Sequence, residues 1–315
     1  MSEAKTAVVA LGGNAITRNG TPDTIANQFR HTRESLRSVV DLVRQGWKLA
    51  VTHGNGPQVG NAILRVELTR GRAPELPLGI CVADTEGGMG YMIEQSLQNA
   101  LLLAGEKQQV VTLVTQVQVD EHDPAVQNPT KYIGQFYTES DARQLAATNG
   151  WTVREDPGRG WRRVVPSPRP LSIVESETIK NLVASGVIVI CCGGGGIPVY
   201  RMRDGRLEGM DAVIDKDLAS AVLAREIQAD LLLILTGVEQ VALDYASDHP
   251  TPLSVLSVRD AKQYLKEGQF PKGSMGPKIT AALDFLKSGG KEVIITSIPR
   301  AMDAVHGKAG TRIAA

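Results

Sequence analysis

The chain is poor in the features that mark several protein classes. Formal net charge is +0 over 315 residues, and Phe, Trp and Tyr supply only 4% of them. A nucleic-acid binder shows a basic surplus with stacking aromatics, so no nucleic-acid partner is expected. Cysteine occurs three times, at Cys81, Cys191 and Cys192. Adjacent residues of a strand face opposite ways and no second pair gives zinc-ligand spacing, so no metal-ligating set is expected. The cysteines read instead as small buried apolar residues in a reducing compartment. No apolar run approaches membrane-spanning length and no apolar leader precedes Ala7. A cytoplasmic protein without a membrane partner is therefore expected. Two nucleotide fingerprints are also missing: neither G-x-G-x-x-G nor G-x-x-x-x-G-K-[ST] can be placed, which disfavours a nicotinamide-dependent dehydrogenase and a P-loop protein.

What remains is an ordinary globular composition, 42% hydrophobic and 22% charged, with enough length for a sizeable core. Short Val/Ile/Leu runs at Thr6–Leu11, Lys48–Thr52, Gln109–Thr115, Val187–Cys192, Asp230–Thr236 and Glu292–Ser297 predict strands buried on both faces. Helical spacing lies between them, over Ala26–Gln45, Pro57–Arg70, Thr85–Leu103, Glu175–Ser185, Asp217–Ile227 and Pro277–Lys287. Alternation of this kind predicts an α/β fold, a three-layer αβα sandwich around a mostly parallel central sheet.

Two stretches interrupt the rhythm. Asp120–Pro170 is polar and holds Pro124, Pro129, Pro157, Pro166, Pro168 and Pro170. It predicts a small inserted lid subdomain, with Tyr132, Ile133, Phe136, Tyr137 and Trp151 as its own core. Pro198–Met210 carries Asp204-Gly205 between short runs, a two-residue hairpin signal.

Glycine-rich turns follow several of the strands: Gly12-Gly13-Asn14, His53-Gly54-Asn55-Gly56-Pro57, Gly193 to Gly196, and Gly273-Ser274-Met275-Gly276-Pro277-Lys278. Glycine admits an anion close to backbone N–H groups, and a following helix N-terminus adds a favourable dipole. In open parallel sheets, ligands bind at the carboxyl ends of strands. Asn14 offers an amide to a carboxylate or phosphoryl oxygen. The four consecutive glycines predict backbone pressed against a ligand. Lys131, Lys216 and Lys278 stand at glycine- or proline-shaped turns, the last two opening helices. A lysine there opposes the helix dipole, and an anionic ligand would reverse that. Asp217 either caps its helix or orients two ammonium groups. His53 reads better as packed beside the strand end than as a general base, because phosphoryl transfer demands mainly positioning and charge. The set points to phosphoryl transfer.

Ala10-Leu11-Gly12-Gly13-Asn14-Ala15, Thr52 to Gly60, Asn128 to Gly134, Gly158 to Pro168, Cys192 to Val199, Ala212 to Asp217 and Gly273 to Lys278 together resemble the carbamate-kinase branch of the amino-acid-kinase superfamily. The resemblance covers nearly the whole chain. It implies a single domain over 1–315, a homodimer, a place in arginine metabolism, and reversible phosphoryl transfer from carbamoyl phosphate to ADP, giving ATP and carbamate. It further implies Mg2+ carried mainly by the nucleotide phosphates. The N-terminal half, about 1–190, would hold the small substrate through Gly12, Gly13, Asn14, Gly54, Asn55 and Gly56, with Lys131 reaching over from a lid at 120–170. The C-terminal half, about 191–315, would hold nucleotide through Lys216, Thr236, Gly237, Val238, Met275, Gly276 and Lys278. Lys131, Lys216, Asp217 and Lys278 would be the catalytic set. Tyr132, where the family pattern has proline, and Gly237, where it has a side chain, depart from that pattern. A non-catalytic nucleotide sensor and a sibling kinase for another small carboxylate are the competing expectations.

Overall fold

The computed structural model describes residues 4–18, 20–156, 158–245 and 247–314. Pro157, counted above among the lid prolines, lies outside them. An eight-stranded sheet forms the centre, with strand order Val255–Ser257, Thr311–Ala314, Glu292–Ser297, Leu231–Thr236, Thr6–Leu11, Lys48–His53, Ile188–Ile190, Val110–Thr112. Neighbours pair in parallel except Thr311–Ala314 against Glu292–Ser297, so the sheet is mostly parallel, as expected. Alternation along the first strand shows why. Val8 and Ala10 enter one buried cluster with Ile179, Leu223 and Phe285. Ala7, Val9 and Leu11 enter the other with Val39, Ile93 and Leu97. Helices thus cover both faces of the sheet, giving the three-layer sandwich.

Several boundaries differ from the sequence reading, each for a local reason. The first helical stretch divides at Leu36 into Ile25–Ser35 and Arg37–Arg44. There the buried Ser38 hydroxyl donates to the Ser35 carbonyl at 3.2 Å, a back-bond that bends helices. The next long helix begins at Leu78, well before Thr85, and ends at Ala104, where Gly105 takes φ 76°. The Val187–Cys192 run keeps only Ile188–Ile190 as strand, and Cys192 turns the chain at φ 50°. Both Cys191 and Cys192 are buried, as is Cys81. The hairpin joins Ile197–Arg201 to Leu207–Gly209. Its turn is longer than two residues: the Met202 N–H donates to the Arg206 carbonyl at 2.8 Å, and Gly205 stands at φ 88°, a three-residue loop with glycine in the left-handed region.

Within the interrupting stretch, Lys131–Tyr137, Thr152–Asp156 and Gly160–Val165 form a separate antiparallel sheet, backed by the helix Glu139–Asn149. Its aromatics do not make the small core expected of them. Phe136 is exposed and lies between the guanidinium groups of Arg159 and Arg162, each 4.8 Å away, while Tyr137 and Trp151 meet at 6.3 Å. Ile133 is buried, but against Val59, Ile63, Leu78 and Val82 of the main body. At the same junction a Cβ on Gly60 would lie 3.0 Å from the Gly134 Cα, so the helix Gly56–Leu68 and the lid strand touch backbone to backbone. Tyr132 donates its hydroxyl to the Glu155 carbonyl at 2.7 Å across the same sheet.

Candidate active site

Three adjacent parallel strands bring their carboxyl ends together, because Leu11 registers with both His53 and Leu235. The loops that follow, Gly12–Asn14, Gly54–Gly56 and Gly237–Val238, therefore emerge side by side. Close packing dictates some of their glycines. A Cβ on Gly12 would come within 2.7 Å of the Leu235 carbonyl oxygen, whereas Gly13 and Gly56 face open space. The first residues of the helix Gly56–Leu68 leave N–H groups without intrahelical partners beside that space.

Over these loops lies the start of the helix Lys216–Glu226. Asp215 is its cap: Oδ1 accepts from the N–H groups of Asp217 at 2.9 Å and Leu218 at 3.5 Å. The other oxygen, Oδ2, accepts from Lys131 Nζ at 2.9 Å, which draws the lid lysine onto the main body. Asp217 is freed from capping. Its Oδ1 accepts from Lys216 Nζ at 2.5 Å and its Oδ2 from Lys278 Nζ at 2.8 Å. Asp217 is 3% exposed. Burial would raise its pKa, but the two ammonium groups more than reverse this and hold it well below the usual carboxylate range. Burial also lowers the Lys216 pKa, and Asp217 opposes that. The Lys216 chain runs along Gly54, its Cδ 3.4 Å from where a Cβ would stand. Four residues from three distant parts of the chain thus form one polar cluster, with Asp215 as an additional member.

Lys278 also borders a cavity of about 320 Å³ lined by Asn14, Thr236, Gly237, Val238, Met275 and Phe270. Gly237 has a clear local purpose, since a Cβ there would approach the Asn14 side-chain nitrogen to 2.3 Å. Gly276 does not line the cavity; its N–H donates to the Pro271 carbonyl at 2.9 Å. Asn55 is buried with its amide donating to the Thr85 hydroxyl at 3.0 Å. The tetraglycine turn corrects the expectation of a ligand contact. All four glycines are buried, and Cβ atoms on them would strike His53, Asn55, the Ile214 carbonyl and Val117 in turn. Packing of protein against protein requires them.

The model of the amino acid kinase family matches residues 5–297. The chain belongs to this family. It is 46% identical over 308 residues to a carbamate kinase of Pyrococcus horikoshii, covering 97% of this chain and 98% of that one. It is 48% identical over 313 residues to the carbamate kinase-like protein YqeA of Escherichia coli K12, covering 98% and 99%. The solved carbamate kinase from Giardia lamblia bound to AMP-PNP superposes with a TM-score of 0.92 at 44% identity, covering 100% and 99%.

Sequence reasoning about this amino acid kinase overlooked Asp215 and Glu86. The signal for Asp215 was its place immediately before the helix Lys216–Glu226, where an aspartate caps well. Glu86 lies on the buried face of the helix Leu78–Ala104, three and seven residues ahead of Met89 and Ile93. Its Oε1 accepts from the Gly193 N–H at 2.8 Å and its Oε2 from the Thr115 N–H at 3.1 Å. Burial raises its pKa to about 8 despite those bonds. His53, buried beside it, is lowered to about 4, mainly by burial and further by the Lys216 charge, against a hydrogen bond to the Gly54 carbonyl. A neutral imidazole with Nε2 unpartnered in the interior fits the packed reading of His53.

These two shifts predict a stability profile. Glu86 has a raised folded pKa, so its contribution is complete below about 4.5 and is lost as pH rises through about 8. His53 has a lowered one, so its contribution is present above 6.5 and is lost as pH falls through about 4. Between 4.5 and 6.5 the two slopes oppose each other; from 6.5 to 8 only Glu86 acts. The native protein should lose stability there, by at most about 1.4 kcal/mol per pH unit, and Glu86→Gln should not. Urea unfolding across that window checks it; parallel profiles would refute the assignment.

Proposed function

We propose that this chain catalyses reversible phosphoryl transfer between ADP and carbamoyl phosphate, giving ATP and carbamate, which breaks down to ammonia and CO2. One observation carries the reading: Asp217 holds Lys216 and Lys278 together at the carboxyl ends of the strands, with Lys131 beside them on Asp215. Ammonium groups placed this way neutralise charge on a transferring phosphoryl without any covalent intermediate, so positioning and electrostatics supply the rate. The nucleotide would occupy the cavity of Thr236, Gly237, Val238 and Met275 with its phosphates toward Lys278. The small substrate would lie over Gly13, Gly54 and Gly56, and Lys131 would reach it from the lid. On this reading the chain is one domain with a small-substrate half, a nucleotide half and an inserted lid.

Magnesium would enter on the nucleotide phosphates. Both carboxylates of the cluster are occupied by lysines, and the described residues contain no group of three or more His, Cys, Asp or Glu placed to hold the ion. A homodimer and a cytoplasmic location belong to the same proposal. Among the described residues no helix is long and apolar enough to cross a membrane.

A coupled assay of ATP formation from ADP and carbamoyl phosphate tests the reaction. Activity should require a divalent ion and should exceed that with acetyl phosphate. The similarity to YqeA, a carbamate kinase-like protein, supports a second reading, a sibling kinase with another small acid as acceptor. Preference for acetyl phosphate would favour it, and no turnover with either would favour a nucleotide sensor.

A further inference from the structure

A second cavity of about 320 Å³ lies where the lid meets the main body, toward the end of the helix Gly56–Leu68 remote from the Gly54–Gly56 turn. Lid and body both contribute to it, Trp151 and Arg163 from the one and Glu67, Arg70 and Asp211 from the other. Most of its charges already have partners. Arg70 pairs with Glu67 at 3.1 Å and with Glu75 at 3.2 Å. The Asn149 amide donates to Glu67 at 3.0 Å.

Two groups are not satisfied in this way. Arg163 is half-buried with its guanidinium 4.9 Å over the Trp151 ring, and no hydrogen-bond or ion-pair partner is found for its side chain among the described residues. Burial lowers its pKa, while the Glu67 and Asp211 charges act the other way from beyond pairing distance. Asp211 receives a single weak bond, the Gly79 N–H at 3.3 Å. A half-buried guanidinium held by stacking alone is a strong site for a carboxylate.

The balance of charge narrows the ligand. Glu67, Glu75 and Asp211 face Arg70 and Arg163, three negative groups against two positive. An isolated anion would meet more repulsion than attraction there, so a ligand suited to Arg163 must bring a cation for Asp211. Ile63, Val66 and Leu78 supply an apolar wall, and the volume suits a small molecule. We propose that this cavity binds a free α-amino acid, its carboxylate on Arg163, its ammonium on Asp211 and its side chain against the apolar wall. Such a ligand would touch lid and body at once and tie them together on the side away from the lysine cluster.

Calorimetric titration of the whole protein with each common amino acid at millimolar concentration tests this, with acetate and ethylammonium as single-charge controls. At least one amino acid should bind and raise the melting temperature, and saturating ADP with carbamoyl phosphate should not displace it. Arg163→Gln should weaken that binding about tenfold or more, as expected when one partner of a partly desolvated charge contact is lost, and Asp211→Asn, at an exposed carboxylate, should weaken it by a smaller factor. Asp211→Asn keeps an acceptor for Gly79 and guards against a folding defect in the arginine variant. The proposal fails if no amino acid binds, if acetate binds as well, if substrates displace the ligand, or if both variants bind undiminished. Heat of binding is read without turnover, so the result stands apart from the fate of the phosphoryl-transfer reading.

Discussion

Asp217→Asn is expected to lower turnover about 10³-fold or more, several kcal/mol of lost transition-state stabilisation. Asp217 is the shared counter-charge of Lys216 and Lys278, with both oxygens engaged and 3% of the residue exposed. An amide carries no charge and offers one acceptor where two donors converge. Removing one partner of a buried ion pair also costs about 3–5 kcal/mol of stability, so the variant should melt earlier while retaining its far-ultraviolet dichroism at low temperature. The helix itself should persist, because Asp215 and not Asp217 caps it. Asp215→Asn is the companion. It preserves a good cap but releases the partner of Lys131, so its effect should appear in turnover with little change in melting temperature. If Asp217→Asn keeps turnover within tenfold of the native enzyme, the carboxylate does not hold the lysines in register for catalysis.

Lys278→Ala is expected to lower turnover about 10²–10³-fold, the loss seen when one preorganised transition-state donor is removed. Its ammonium sits on Asp217 and lines the cavity proposed for the nucleotide, where on that reading charge would shift as the phosphoryl moves. The decisive reading is the division between kcat and KM for ADP. Loss confined to kcat places the contact in the transition state. Loss confined to KM means that Lys278 binds ground and transition states alike, and its catalytic role would have to be dropped.

Continuous apolar runs made the central strands legible from sequence, since a strand covered on both faces has no polar alternation to confuse its period. Thr6–Leu11 and Glu292–Ser297 have the bounds expected of them. The reversed strand Thr311–Ala314 was not legible, because its four residues carry too little pattern and owe their conformation to pairing with Glu292–Ser297 on one side and Val255–Ser257 on the other. The lysines and Asp217 were visible through the turns that frame them. Their connection through Asp217 was legible only as one of two alternatives, because the choice depends on which aspartate of Asp215-Lys216-Asp217 turns its side chain toward the backbone. The tetraglycine turn shows how the glycines could mislead. Chemistry that admits a phosphate also admits a histidine and an asparagine side chain, and the tetraglycine turn serves the latter. Glu86 was hidden by its neighbours, one acid within an otherwise apolar helical stripe.

The lysine cluster has a consequence for how a substrate arrives. With three ammonium groups and two carboxylates in direct contact, the empty site holds only one unit of surplus positive charge. It resembles a small ion exchanger supplied with its own fixed counterions. An incoming phosphate does not meet three bare cations; it competes for lysines already occupied and exchanges one oxygen contact for another. Much of the Coulomb attraction is thus already realised before binding, which limits how tightly any one anion is held. If the site passes a phosphoryl group in both directions, as proposed, that restraint would keep either product from being too firmly bound to leave.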